Sequence, residues 1–381
     1  MLVGTKAGHD RDAATVHGGG ARRIFDRIAD GAGRRVGLQY LWYPSGRRIL
    51  AHPWIKSAAI IQIYNTHGGY FSHRLLPDLA SRAPVVWRLS DMWAMTGHCA
   101  YAGPCGRWRD GCGSCPDLER YPAIPIDTTA LLWRIKQRTY AAARPTIVAP
   151  SHWLEKLARQ SPLFAGSTIE HIATGVDTAI YRPIDKASAR AVLGLKYDAK
   201  LLMFSAHVVD DDERKGSATA IAALSQLAPR ENLAVALLGL GGESWAGKLP
   251  HPIIPLGFLR DDRLLAAAYA AADLLIVPSS VENLPNSILE AMACGTPVAA
   301  FDTGGIGELV RHRETGWLAP AGDVHRLADG IDRLVGDDLE RERLARNSVA
   351  LIASDFTAER EAAEYLALYD RLLAARAKAA A

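Results

Sequence analysis

Long apolar runs are missing from the 381 residues. The longest, AVALLGL at 234–240 and DLLIVP at 273–278, fall far short of the ~20 residues that a helical membrane span needs. No export signal is read at the start, so thiols are expected in a reducing compartment. Cysteine is scarce at five residues, too few for a disulfide-built scaffold in a chain of this length. Neither charge sign dominates, since the net charge is only +3. Low-complexity tracts are confined to the Ala-rich end, and no repeat of solenoid length occurs. Disorder, a membrane span and a repeat array are thereby set aside.

What is present is an ordinary globular composition, 49% apolar and 22% charged, in a chain long enough for two domains. The small net charge hides an asymmetry. Residues 1–165 carry 22 Lys and Arg against 11 Asp and Glu, while residues 166–381 carry 22 against 30. A basic half suits an anionic membrane surface or a phosphate-bearing acceptor, or it is simply a solvated Arg-rich face. Nucleic acid is not expected as a partner, because the Arg residues are scattered and no groove-reading motif accompanies them.

From about residue 200 onward, short apolar runs alternate with amphipathic stretches. The runs are 201–206, 233–240, 273–279 and 296–301. Bounded by Gly and Pro, they read as parallel strands buried on both faces, joined by crossover helices. The first half repeats the pattern at 58–65, 84–91, 145–151 and 168–174. The expected fold class is therefore α/β with two doubly wound parallel-sheet domains. Residues 1–176 form the first, 177–355 the second, and 356–381 a final helix packing across both. Residues 1–57 offer only a weak strand candidate at 36–42 and a triple glycine, Gly18 to Gly20.

The sharpest constellation is VENLPNSILEAMACGTPVAAF. Glu282 falls in the loop beyond the carboxyl end of a strand and Glu290 about one turn inside the next helix. Ligands bind at that end of a parallel sheet. Asn283, Leu284, Pro285 and Asn286 lie between, and Pro285 with Asn286 can start a helix whose free N–H groups face an anion. Two carboxylates there suit sugar and ribose hydroxyls; taken alone, the pair reads first as ordinary loop and helix-surface acids. A second element, SAHVVDDDERKGSATAIAAL, places Arg214, Lys215 and Gly216 at a helix start, a cradle for a diphosphate. The bland reading is a charged helix start that offsets the acids from Asp210 to Glu213.

These segments, with EAMACGTPV, the Gly304–Gly305 turn, ELV and TGWLAP, resemble the signature of family 4 glycosyltransferases over roughly residues 58–320. That resemblance implies a GT-B fold, two Rossmann-like domains facing across a cleft. It implies retaining transfer of a hexosyl group from a nucleotide-diphosphate sugar to a hydroxyl, with no metal needed for catalysis. Arg214 and Lys215 would neutralise the diphosphate, Glu282 would orient the sugar and Glu290 would hold the ribose. Leu259 and Arg260 occupy the position of a family loop that meets the base.

NTHGGYFSHRLLPDL at 65–79 and PVVWRLSDMWAMTGHCAYAGPCGRWRDGCGSCPDL at 84–118 resemble the branch of that family associated with colanic-acid-type exopolysaccharide synthesis. Relatives commonly carry a His before Asp-Met-Trp, where this chain has Ser90. Asp91 is then the nearest acid for a sugar contact, with His67 or His98 as substitute imidazoles and Gly68 and Gly69 on the acceptor side. The resemblance also implies a strand, a Gly-rich turn and a helix ahead of MLVGTK, so the first domain is expected to lack its first βα unit. A saccharide or lipid-linked saccharide is the implied acceptor. The implied location is the cytoplasm, with peripheral attachment at the inner membrane face.

Cys99, Cys105, Cys112 and Cys115 fall within seventeen residues, spaced C-x5-C-x6-C-x2-C among loop glycines. Four thiolates would close a tetrahedral shell around a structural Zn2+ and leave no open position for catalysis, while free thiols or a disulfide are the plainer alternatives. Two rival functions remain, a catalytically inactive nucleotide-sugar-binding scaffold and, ranked last, a zinc-module nucleic-acid binder.

Overall fold

The apolar runs form strands because they are β-branched or Leu-rich, too short for helices, and flanked by breakers. In a computed structural model, which describes residues 1–3, 12–16, 20–195, 199–209 and 213–380, they do so in two units. Gly18, Gly19, residues 4–6 of MLVGTK and Asp210 to Asp212 lie outside the described residues.

The first unit comprises residues 1–172 and 365–381. Two short strands, β1 (Leu2–Val3) and β2 (Ala14–Thr15), pair in parallel as a separate ribbon. Residues 36–42 are not the strand considered above. They form turns, with Tyr40 at φ 60°, after the helix Gly20–Arg35. The main sheet is four parallel strands in sequential order, β3 (Ile61–Ile63), β4 (Val85–Arg88), β5 (Thr146–Ala149) and β6 (Ile169–His171). Alternation sorts its two faces. Val85, Trp87, Ile147 and Ala149 meet Trp133 and Tyr140 of the helix Thr129–Ala143. Val86, Val148 and Ile172 meet Tyr365 and Leu368 of the last helix, Ala358–Ala380. That helix begins in the second unit and joins the first from Tyr365 onward.

The second unit, residues 173–364, holds six parallel strands. They are β7 (Lys200–Val208), β8 (Leu233–Leu240), β9 (Ile253–Gly257), β10 (Leu274–Val277), β11 (Val298–Phe301) and β12 (Gly316–Ala319). Their order is β12-β11-β10-β7-β8-β9. The chain builds outward from β7, returns to lay β10 beside it, and builds outward the other way. The strand order thus reverses between β7 and β10, the point at which open α/β sheets place a ligand crevice at the carboxyl ends. Leu201, Met203, Leu275 and Val277 pack under the helices Asp262–Ala271 and Asn286–Ala293. Leu202, Phe204, Leu274 and Ile276 pack under Ser217–Leu224 and Val324–Gly336. Each such large side chain contributes about 1.5–3 kcal/mol by leaving water, so both faces of the central strands are anchored. Among the described residues no helix is long and apolar enough to cross a membrane.

Candidate functional site

The reversal point brings two loops together. After β7, residues Glu213–Lys215 make one 3-10 turn, Gly216 takes φ 78°, and the helix Ser217–Leu224 begins. A Cβ on Gly216 would collide with the Pro278 carbonyl oxygen, so the turn sits directly against the end of β10. The Ser280 N–H donates to the Arg214 carbonyl at 2.9 Å, which stitches the loops by backbone. Arg214 Nη1 and Lys215 Nζ each stand 2.7 Å from Glu282 Oε1. The Glu282 carbonyl accepts from Gly305 N–H at 3.0 Å, and a Cβ on Gly304 would collide with that same carbonyl oxygen. Glu282 is therefore buried and clamped while the two cations remain partly open to solvent.

Pro285 enters the helix Asn286–Ala293 in an extended conformation, without a side-chain cap. Among the described residues the N–H groups of Asn286 and Ser287 find no acceptor, so the positive end of this helix is open beside the cations. Asn283 and Leu284 are buried. One turn into the helix, Glu290 accepts a hydrogen bond from Tyr269, whose hydroxyl in turn accepts from Ser205 on β7. Burial raises the Glu290 carboxyl above its ordinary range, against the lowering effect of the Tyr269 bond. Leu259 packs on the core cluster that includes Leu284. Arg260 is exposed and lies over Phe258 at 5.9 Å, and Phe258 meets His207 from the end of β7 edge-on at 5.1 Å.

In the first unit, the loops after β3 and β4 bring His67 to Asp91, Nε2 to Oδ2, at 2.7 Å. The other Asp91 oxygen accepts the Trp93 N–H at 2.8 Å, and Asn65 Oδ1 accepts the His67 N–H at 3.0 Å. Tyr40, Trp93 and Tyr121 surround the imidazole, and its buried Nδ1 has no hydrogen-bond partner among the described residues. Gly69 takes φ 76°, and Gly68 lies against the Tyr70 ring. Of the two substitute imidazoles expected from sequence, His67 stands beside Asp91. His98 does not: its Nδ1 faces the Pro122 carbonyl at 2.9 Å and its Nε2 faces Cys115 Sγ at 3.4 Å.

Cys99, Cys105, Cys112 and Cys115 all line one small cavity of about 30 Å³, together with His98 and Trp108. No three of the sulfurs lie within 4.8 Å of one another. The Gly97 N–H donates to Cys112 Sγ at 3.2 Å. Burial pushes the Cys99 and Cys112 thiols up to about 11. Lys136, which carries no motif in the sequence, is fully buried nearby. Its ammonium donates to the carbonyls of Trp93 at 2.5 Å and Thr96 at 3.0 Å and lies 3.5 Å from the Trp93 ring centre. Burial lowers its pKa to about 7, with the Cys112 and Cys99 thiols acting in the opposite direction. Tyr269 was equally silent in the sequence, where AAAYAAA reads as helix filler.

Residues 199–337 match the family described as Glycosyl transferases group 1. The chain is 32% identical over 228 residues to the D-inositol 3-phosphate glycosyltransferase of Nocardioides sp., covering 54% of this chain and 49% of that protein. It is 36% identical over 196 residues to the Thermobispora bispora enzyme of the same name, covering 47% and 44%. The chain thus spans about half the length of the curated relatives it matches. Among solved structures it is similar to sucrose-phosphate synthase from Thermosynechococcus elongatus, with TM-score 0.66 and 22% identity over 90% of this chain and 82% of that one. It is also similar to Anabaena HepE in complex with UDP and glucose, with TM-score 0.63 and 21% identity over 87% and 82%. The architecture is that of GT-B glycosyltransferases, two Rossmann-like units built on parallel sheets.

Proposed function

We propose that this chain transfers a sugar from a nucleoside-diphosphate sugar to a hydroxyl acceptor, with retention at the anomeric carbon. The observation that carries this reading is the charge arrangement at the reversal point: Arg214 and Lys215 on one acid, Glu282, beside the open positive end of the helix Asn286–Ala293. Two cations and a helix N-terminus on one crevice fit a diphosphate. As the bond from the anomeric carbon to the diphosphate oxygen breaks, negative charge grows on the leaving group, and Arg214, Lys215 and the helix N–H groups stabilise it. The acceptor oxygen bonds the anomeric carbon on the face the diphosphate leaves, and its proton passes to the departing phosphate. Glu282 orients the sugar and Glu290, held by Tyr269, takes the ribose hydroxyls. None of these steps needs a metal.

Asp91 and His67 in the first unit serve the acceptor side, with Gly68 and Gly69 allowing close approach of backbone to sugar. The likeness of 65–118 to exopolysaccharide enzymes supports a saccharide or lipid-linked acceptor, and the basic composition of residues 1–165 supports an anionic acceptor or attachment to an anionic membrane face at the cytoplasmic side. A phosphorylated polyol, the acceptor class in the relatives' name, is the other acceptor of the same charge.

The test is a panel of UDP-, GDP- and ADP-sugars, with binding measured by calorimetry and turnover by nucleoside diphosphate release, with and without saccharide, lipid-linked and inositol phosphate acceptors. UDP, which HepE holds in its structures, is the first probe. Acceptor-dependent release from one sugar nucleotide is the expected result. Binding without turnover under any acceptor would leave a sugar-nucleotide-binding scaffold, and no binding of any member would remove the donor site.

A further inference from the structure

The cysteine loop in the first unit has no part in the proposed transfer, yet its geometry is specific. Cys99, Cys105, Cys112 and Cys115 line one cavity of about 30 Å³, the room of a single small occupant. To bring Cys112 and Cys115 there, the backbone runs through four consecutive left-handed residues, Gly111 at φ 114°, Cys112 at 56°, Gly113 at 93° and Ser114 at 44°. Two of these are not glycine, and each such residue costs on the order of 1 kcal/mol, so the loop is held by something stronger than its own preference.

An independent observation is the buried cation beside the loop. Lys136 is fully buried on the helix Thr129–Ala143, and among the described residues no carboxylate lies within ion-pair distance of its ammonium. An uncompensated charge in the interior costs several kcal/mol. Carbonyl oxygens, a Trp face and the field of the Asp91 carboxylate offset part of that, and a closer anion would offset the rest. A divalent cation held by four thiolates carries a net charge of minus two.

We propose that Cys99, Cys105, Cys112 and Cys115 bind one thiophilic divalent cation, Zn2+ being the ion that fits the donor set, and that Lys136 supplies the counter-charge of the resulting anionic centre. The sulfurs line the cavity without yet converging on one point. Each has a single side-chain torsion, and rotamer steps that each carry a sulfur by roughly 3 Å are the movement by which the shell would close. The centre would also reach the acceptor side. Lys136 holds the carbonyls of Trp93 and Thr96, and Trp93 donates its N–H to Asp91, so fixing the loop fixes that acid. Nothing in this proposal depends on the donor reading.

The test uses the full chain purified without chelator. Elemental analysis is expected to find about one Zn2+ per chain. Replacement by Co2+ is expected to give the intense near-ultraviolet sulfur-to-cobalt band and visible bands of a tetrahedral tetrathiolate, displaced by one equivalent of Zn2+. Cys112→Ser is expected to lose most of that band, and Lys136→Met to weaken Zn2+ binding roughly 10- to 100-fold with the circular dichroism unchanged. A fresh chain that carries a disulfide among the four cysteines by mass spectrometry, or one whose free thiols take up Co2+ without a thiolate band, would overturn the site. Unchanged Zn2+ affinity in Lys136→Met would overturn the counter-charge. The wild-type cobalt spectrum decides the site even if Cys112→Ser fails to fold.

Discussion

Replacing Glu282 by Gln separates two properties that most damage to a donor site would lower together. The Glu282 carboxylate engages both Arg214 and Lys215 at 2.7 Å, with Glu282 buried and the cations about a quarter exposed. A diphosphate entering the crevice must share or displace those contacts. An exposed ion pair is worth up to about 1 kcal/mol and breaking a buried one costs about 3–5, so each of these partly buried pairs counts for about 1 kcal/mol. The Glu282→Gln substitution, which removes the carboxylate charge, therefore frees up to about 2 kcal/mol and tightens the nucleoside diphosphate by roughly 10- to 30-fold. Transfer should move the other way. On its proposed role the carboxylate that orients the sugar is lost, and kcat should fall by at least about 100-fold, the scale of losing one transition-state contact of this kind. Calorimetry with the free diphosphate and a turnover assay on the same preparation read both numbers. If diphosphate affinity and turnover fall together, Glu282 is not the resting counter-ion of the two cations. If neither moves, it has no place in the site.

Tyr269→Phe removes the hydroxyl that donates to Glu290 and keeps the packing, so KM for the donor should rise roughly tenfold with kcat little changed; an unchanged KM would show that Glu290 needs no positioning. Asp273 accepts from the ammonium of Lys186 at 2.5 Å, from Arg190 at 2.9 Å and from the Leu201 N–H at 2.7 Å, and these partners hold its carboxyl below the ordinary range despite burial. A carboxyl lowered by folding stabilises fully above its unfolded value of ~3.9 and loses that contribution as pH falls through the folded one. Asp273→Asn should accordingly cost about 3–5 kcal/mol at pH 7 in urea unfolding, with the difference from wild type shrinking as pH falls below the unfolded value of ~3.9; a difference that grows on acidification would reverse the assignment. Gly304→Ala should lower transfer far more than stability, because its Cβ would strike the Glu282 carbonyl oxygen; normal turnover in this variant would mean that the Glu282 loop is not fixed by that contact.

The strands of the second unit were readable because a parallel sheet buried on both faces has to be written in continuous apolar runs. LAVALLGL became β8 with both ends unchanged, and DLLIVPS became β10 with its ends drawn in by one and two residues. Two strands escaped. Ile253–Gly257 is interrupted by Pro255, and Gly316–Ala319 holds only Trp317 and Leu318 as large apolar groups; both are edges of the sheet, where less burial leaves a weaker pattern. The meeting of residues 214–216 with 282 followed from the rule that loops at the carboxyl ends of β7 and β10 share a crevice. The Glu290–Tyr269–Ser205 chain did not follow from anything local, since its members come from three elements that only tertiary packing brings together. For the same reason the sequence offered His67 and His98 as equals. Which imidazole reaches Asp91 depends on the course of the loops after β3 and β4, and the Cys115 loop draws His98 elsewhere.

In the proposed transfer the resting charge arrangement supplies the positive charge that a leaving diphosphate needs. Two bare cations side by side on one turn would repel and would attract anions from solution; a single buried carboxylate shared by both keeps the pair close and in place. The acid needs no flexible arm to do this, because its backbone is fixed at its carbonyl by Gly305, and by Gly304 at a distance no side chain would permit. Gly216 gives the cationic turn the same closeness to Pro278. Both partners are therefore positioned by backbone contacts at glycines, and in the proposed transfer the outer ends of Arg214 and Lys215 would turn from carboxylate to phosphate. A site built this way exchanges one anion for another with little reorganisation of its walls, which is the condition under which fixed charges stabilise a leaving group most.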